Sequence, residues 1–367
     1  MMIPQASLYF HIPFCTKKCP YCHFYVVPNQ LRFHEILKEG LALEWIRQQP
    51  LLDGKQIISL YFGGGTPSLF GAVAIGEIIK RCTHLADDCE ITVEVNPEEA
   101  SEQLFSDLKQ VGVNRISLGV QSLDDRSLMT LERQHTATKA LEALRNAEKA
   151  GIRNLSIDLM YDLPDQTEAS WRYTLDQLAD LPIHHLSLYN LTIEPHTSFH
   201  KRKNLLSFPT PEQSLRFLHL ALESLEKIGL VRYEISAFAK PGFASRHNLG
   251  YWTFRPFLGF GPSAFSYWEK ERFRNIPHLQ RYTRALKQGE SPIDFREKLS
   301  YPASLREELA VRLRVLSGCP LPPSLPPDTA KALDSLIEQK LIVQTGQNIR
   351  LTERGLLFYD TVASELI

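Results

Sequence analysis

The sequence predicts an α/β fold: a partial (β/α)6 barrel followed by a small C-terminal α+β domain of winged-helix-like pattern. Three observations predict it. Short apolar, β-branched runs alternate with helically spaced stretches about six times through the first two-thirds of the chain. Unusual polar residues collect just after those runs, as chemistry does at the C-terminal ends of barrel strands. Beyond about residue 240 the alternation stops and the composition changes.

The strand-like runs are Ser7–Ile12, Ile57–Phe62, Glu90–Val95, Arg115–Val120, Asn154–Met160 and His185–Asn190. The spacing predicts helices over Leu31–Arg47, Val73–Cys82, Glu102–Val111, Thr136–Ala150, Trp171–Leu181 and Pro211–Ile228. In the first of these, Leu31, Ile36, Leu37, Leu41 and Trp45 recur near a period of 3.6. Strand followed by helix implies parallel strands with covering helices. An open doubly wound sheet also fits that order. The barrel is favoured by Cys15 after the first strand, Gly63–Thr66 after the second, Asn96–Pro97 after the third and Gln121 after the fourth. Six units rather than the eight of a closed barrel make it partial. The division expected is 1–240 for the barrel, 241–300 for an extension rich in aromatics and glycine, and 301–367 for the C-terminal domain. In that last part a helix over Tyr301–Ser317 precedes the linker-like GCPLPPSLPPD. A helix, two short strands turning at Gly346–Asn348 and a final helix follow.

A formal net charge of −1 excludes a global field that would draw the chain to nucleic acid, and the winged-helix-like tail carries few cations in its wing. The N-terminus lacks the charged and apolar regions of a signal peptide, and no run approaches the ~18 apolar residues of a membrane span. Cytoplasmic placement is expected, with peripheral membrane contact left open and a monomer or homodimer equally compatible. Six cysteines in such a chain are expected to stay reduced, and three of them lie within eight residues.

Those three, Cys15, Cys19 and Cys22, have the spacing C-x3-C-x2-C. Thiolates suit iron–sulfur clusters or zinc. Three ligands on a four-iron cube leave one iron open to a small molecule. Zinc usually takes four closed ligands, and His23 or His11 would complete such a set. The run Gly63-Gly64-Gly65-Thr66-Pro67 lacks the ending of a P-loop, so a phosphate cradle is not expected; a plain strand-to-helix turn would explain it alone. Glu94 and Asp158 stand inside apolar strands, where an unpaired charge is costly, so a polar cavity suits them better than a dry core. Arg133 suits two parallel hydrogen bonds to a carboxylate.

The cysteine loop with Tyr21 before its last cysteine resembles the radical-SAM superfamily, and the glycine run resembles its second motif. YFHIPFC, CPYC, YFGGGTPS, VEVNPE, RISLGVQS, DLMYDLP, LYNLTIEP, HNLGYW and LGFGPSA together resemble the oxygen-independent coproporphyrinogen III oxidase family, over Tyr9 to about Ser266. The resemblance implies a radical-SAM barrel. It implies a [4Fe–4S] cluster on Cys15, Cys19 and Cys22, and S-adenosylmethionine held by Tyr9, Gly64, Thr66, Glu94, Gln121, Arg133 and Asp158.

Two branches of that family compete. The oxidase, which decarboxylates a porphyrinogen, carries a longer N-terminal part and a fourth cysteine where this chain has Phe24. The short start, CPYC-x-F and HNLGYW resemble the HemW branch. That branch implies a haem chaperone with His247 as the haem residue and a haem-acceptor apoprotein as partner, which leaves open whether the protein is an enzyme. A zinc-stabilised binding protein is the third alternative. Asp162, Asp165 and His196 stand where the family commonly has glycine, and Phe265 where it has histidine. Aspartate tolerates left-handed backbone angles, histidine less readily. These departures are expected on the substrate-facing side.

Overall fold

The computed structural model describes residues 3–367. Six parallel strands form its centre: β1 (Gln5–Ile12), β2 (Gln56–Gly64), β3 (Leu85–Val95), β4 (Arg115–Gln121), β5 (Asn154–Tyr161) and β6 (His185–Asn190). They neighbour one another in chain order, as a βα barrel requires. The predicted helices cover them as α1 (Leu31–Gln48), α2 (Ala72–Arg81), α3 (Glu102–Gln110), α4 (Ala137–Lys149), α5 (Glu168–Asp176) and α6 (Pro211–Lys227). Helix α5 starts three residues before its expected Trp171 because Thr167 and Ser170 form a reciprocal capping box. Its last expected turn, Gln177–Asp180, is a 3-10 helix.

The sheet continues past both ends of this core. Strands β7 (Val231–Glu234) and β8 (Ala237–Ala239) add antiparallel beyond β6. On the other side β9 (Phe257–Phe260) runs parallel to β1, followed by antiparallel β10 (Phe265–Trp268), β11 (Glu271–Asn275) and β12 (Ile293–Glu297). Twelve strands thus form one sheet that does not close on itself, an incomplete barrel. The sequence reading did not anticipate the added strands, which are only three to five residues long. The rim strand β12 is largely exposed, and its charges pair inward: Asp294 with Arg274 at 3.1 Å, Arg296 with Glu271 at 3.1 Å and Glu297 with Arg272 at 3.2 Å.

Each central strand sorts its side chains by a period of two. Leu8, Phe10, Leu60, Phe62, Val93, Leu118, Ile157 and Leu186 belong to the buried apolar core that the helices cover. The alternate residues Ser7, Tyr9, Ser59, Tyr61, Thr92, Glu94, Ser117, Ser156, Asp158 and Ser187 face the barrel interior, where hydrogen bonds cross from strand to strand. Ser59 donates to Ser7 at 2.8 Å, Tyr61 to Glu94 at 2.8 Å and Ser117 to Asp158 at 3.4 Å. The strand starts are closed by helix α7 (Arg246–Trp252), whose first amides donate to the Glu90 carboxylate at 3.0 Å.

A buried carboxylate fastens the added strands. Glu44 of α1 accepts from Gly261 N–H at 2.8 Å, Asn275 Nδ2 at 2.7 Å, Gln48 Nε2 at 2.7 Å and Tyr282 O–H at 2.5 Å. Tyr282 lies on α8 (Leu279–Lys287). That helix packs close to α1 because Gly40 has no side chain; a Cβ there would lie 2.6 Å from the Tyr282 ring. The C-terminal residues build a second core around Leu309, Leu313, Leu336, Ile349 and Val362. It comprises α9 (Ala303–Arg312), α10 (Pro327–Glu338), α11 (Tyr359–Leu366) and a three-stranded sheet in which Ile342–Thr345 and Asn348–Leu351 form the expected hairpin. Among the described residues no helix is long and apolar enough to cross a membrane.

Burial pushes the Glu44 carboxyl up to about 7. The folded chain therefore holds a proton there that the unfolded chain has released above pH ~4.5, so this group's contribution to stability falls as pH rises from 4.5 to 7. Glu44→Gln removes that slope, roughly 3 kcal/mol at most. It also lowers stability at every pH by turning an amide NH2 toward donors. Denaturant unfolding of both proteins between pH 5 and 8 checks it; parallel curves would disprove the assignment.

Candidate functional site

A cavity of about 440 Å3 opens at the C-terminal ends of the central strands. Cys15, Cys19 and Cys22 line one side of it. All three are unpaired, and no fourth cysteine joins them, since Cys82, Cys89 and Cys319 are buried elsewhere. Their loop leaves β1 and is anchored where Phe14–Cys15 pairs with Val27–Pro28. His11 braces the loop from beneath: its Nε2 bonds the Tyr25 carbonyl and its Nδ1 the Tyr9 hydroxyl, both at 3.1 Å. Burial lowers the His11 imidazole to about 4. With both nitrogens engaged, His11 is not free to complete a metal set.

The glycine run makes the loop's seat. A Cβ on Gly65 would fall 2.6 Å from the Phe14 carbonyl oxygen and one on Gly64 2.5 Å from the His11 ring, and Gly64 has φ of 115°. Thr66 follows, with its hydroxyl 3.7 Å from Cys15 Sγ and accepting from Asn96 Nδ2 at 2.9 Å. Asn96 passes the contact on, since its Oδ1 accepts from Arg133 Nη2 at 2.8 Å. Arg133 also donates to the Gly119 carbonyl at 2.9 Å and to Cys19 Sγ at 3.4 Å, while its Nε is buried without a partner. Its two terminal nitrogens are thus already engaged by the protein. Burial pushes the Cys15 thiol up to about 11 and raises Cys22 as well.

The cavity also carries two carboxyls. Glu94 accepts from the Tyr61 hydroxyl at 2.8 Å and the Gly64 amide at 3.2 Å, and Asp158 lies nearby on β5. Burial, then the mutual repulsion of the two, raises the Glu94 carboxyl to about 7; burial raises Asp158 to about 6. Two carboxyls so placed favour a cationic ligand group, which would draw both back toward the charged form. Gln121 joins them from a bulge at the end of β4, with φ of 67°.

Nine of the residues singled out from the sequence therefore line one cavity: the three cysteines, Gly64, Thr66, Glu94, Gln121, Arg133 and Asp158. Tyr9 and His247 stand beneath it. Tyr9 stacks 6.2 Å from Tyr61. His247 is 1% exposed, with Nδ1 bonded to the Ser59 hydroxyl at 3.0 Å and Nε2 to the Tyr251 hydroxyl at 2.7 Å. Its ring stacks on Tyr61 at 4.9 Å, so it buttresses the side chain that holds Glu94. In this conformation His247 offers no free lone pair to an iron.

Sequence reasoning passed over Asn96 as a contact residue, and also Ser117, Met160, Tyr189 and Asn190 on the wall. Their signal was their place in the strands' polar alternation. Asp162, Asp165 and His196 take φ of 61°, 58° and 68°, so the left-handed turns survive without glycine. None of these three lines the cavity, nor does Phe265, contrary to the expected substrate-facing side. Asp162 instead accepts from Asn190 Nδ2 at 2.7 Å and from the Ser214 hydroxyl, which orients a wall residue.

The Radical SAM superfamily profile matches residues 9–178. The chain is 31% identical to the haem chaperone HemW of Lactococcus lactis, over 97% of this chain and 95% of that protein. The HemW of Haemophilus influenzae is 34% identical over 97% and 96%. The chain belongs to the HemW family. Among solved structures, Escherichia coli coproporphyrinogen III oxidase, a radical SAM enzyme, superposes with a TM-score of 0.86 over 99% of this chain and 90% of its own. At 24% identity that likeness establishes the shared fold.

Replacing Gly65 by alanine should displace the backbone at Phe14 and with it the cysteine loop, at a cost of about 1–3 kcal/mol. Equilibrium urea unfolding checks this. Gly71→Ala, where a Cβ meets nothing within 4 Å but φ is 85°, separates the cost of strain from that of collision.

Proposed function

We propose that this chain is a haem chaperone of the radical-SAM type. It would carry a [4Fe–4S] cluster on Cys15, Cys19 and Cys22, bind S-adenosylmethionine in the adjoining cavity and pass haem to an acceptor apoprotein. The observation that carries the reading is the set of three unpaired thiols in a cavity that two buried carboxyls, Glu94 and Asp158, also line. The donor set fits the group. Three thiols suffice for three corners of a cubane, and Arg133 and Thr66 supply donors to the sulfurs. When bound, such a cluster supplies one-electron chemistry and an open iron for a small chelating ligand.

The protein's own residues do the rest. Glu94 and Asp158 suit the cationic part of S-adenosylmethionine, and Gly64 allows the main chain to come close to it. Thr66, Gln121 and Asn96 offer neutral polar contacts, while Arg133 sets the charge beside Cys19. Tyr9 and His247 act from below by holding Tyr61 against Glu94. The cytoplasm, whose thiols stay reduced, suits six unpaired cysteines.

Anaerobic reconstitution with iron and sulfide tests the cluster. About four irons and four sulfides per chain are expected, with a reduced-state EPR signal that changes on adding S-adenosylmethionine. Cys19→Ala should lose both. One bound zinc without sulfide would refute the reading. Incubation with coproporphyrinogen III under anoxia should yield no protoporphyrinogen, and haem transfer to an apo-haemoprotein should be seen by its Soret band. Porphyrinogen turnover would favour the oxidase instead.

A further inference from the structure

The chain has twelve histidines, and among the described residues His23 is the one that lines the cavity. Four histidines within the barrel are already engaged. His11 bonds Tyr9 and Tyr25, His135 bonds Glu98 and the Val120 carbonyl, His185 bonds Ser156 and Tyr233, and His247 bonds Ser59 and Tyr251. His23 is exposed, and its ring lies 4.6 Å from that of Phe24. Phe24 also lines the cavity and is 53% exposed. A single exposed aromatic is ordinary; one in tilted contact with the one imidazole that lines the cavity among the described residues makes a surface that is part donor and part apolar. Lys18 stands on the same rim. Its ammonium donates to the Phe24 carbonyl at 3.0 Å, whereas neighbouring Lys17 is paired with Glu132 at 3.1 Å.

We propose that His23, Phe24 and Lys18 form the docking site for haem at the mouth of the cavity. His23 supplies an axial nitrogen to the iron, Phe24 packs on the macrocycle and Lys18 meets a propionate carboxylate. The inference rests on the haem-chaperone reading and deepens it. Neutral imidazole is a common axial ligand for haem iron. An aromatic face offers the flat apolar contact a porphyrin needs, and an ammonium–carboxylate contact is a charge-assisted bond. Size points the same way. Small-molecule sites span ~300–1,000 Å3, and about 440 Å3 holds one nucleoside-sized ligand. A second, wider ligand belongs on the rim.

Ferric haem titrated into the anaerobically reconstituted protein tests this by Soret absorption and EPR. Iron and sulfide content verifies that each variant keeps its cluster. Wild type is expected to show a nitrogen-ligated ferric signal. His23→Ala should lose that signal and bind haem about tenfold more weakly, and external imidazole should restore the signal. Lys18→Glu should weaken binding while leaving the ligation signature in place. Wild-type spectra and affinity in His23→Ala would overturn the proposal while leaving the chaperone reading standing. Failure of the wild type to bind haem at all would overturn both.

Discussion

The barrel depends on a single constraint: each central strand must be apolar toward the helices and polar toward the axis, with the inward polar groups bonded to one another across strands. Leu60 and Phe62 face the helices while Ser59 and Tyr61 on the same strand face the axis. Ser59 and Tyr61 find their partners in Ser7, Glu94 and His247 on neighbouring elements. A buried polar group without a partner costs a few kcal/mol, so these residues hold one another in place. The carboxylate at the cavity is the last member of that chain. His247 stacks on Tyr61, Tyr61 donates to Glu94, and Glu94 receives the Gly64 amide.

The cysteine loop is held by the same layer. His11 points inward from β1 and ties the far side of the loop through the Tyr25 carbonyl. The ring needs the space that Gly64 leaves, and the Phe14 carbonyl needs the space that Gly65 leaves. Thiols and glycines, 40 or more residues apart in the chain, are therefore parts of one seat. Tyr25 extends it again, since its hydroxyl accepts from the first amide of α8 at 2.7 Å. That is the helix that Glu44 binds through Tyr282.

The six central strands and their helices were legible in the sequence because each apolar run is distinct and each helix keeps its period. Thr136, Thr167 and Thr210 cap the third amide on at three helix starts, a signal passed over at Thr167, where the helix was expected from Trp171. The thiols and most wall residues were legible through their motifs. Less legible were the strands from Phe257 to Glu297, where aromatics and glycines replace β-branched runs and pairing comes from distant partners. Nor could sequence separate His247 from His23. Both are single imidazoles in marked motifs, and only packing shows that one is enclosed between Ser59, Tyr61 and Tyr251 while the other faces open space. Likewise nothing local foretold that Arg314 would lie 4.2 Å from the Trp252 ring and 5.1 Å from that of Tyr359, joining the barrel floor to the C-terminal core.

An incomplete barrel leaves strand borders that could recruit strands from other molecules; at β7 the chain itself covers the border, through a bridge between Glu234 and Val315. The border at β12 answers that hazard with chemistry. Asp294, Arg296 and Glu297 are each bound sideways to the neighbouring strand, so an incoming chain would have to pair against a charged edge whose one exposed phenylalanine, Phe295, packs edge-on against Phe265. The sheet can thus stay unclosed around its ligands without becoming a template for aggregation.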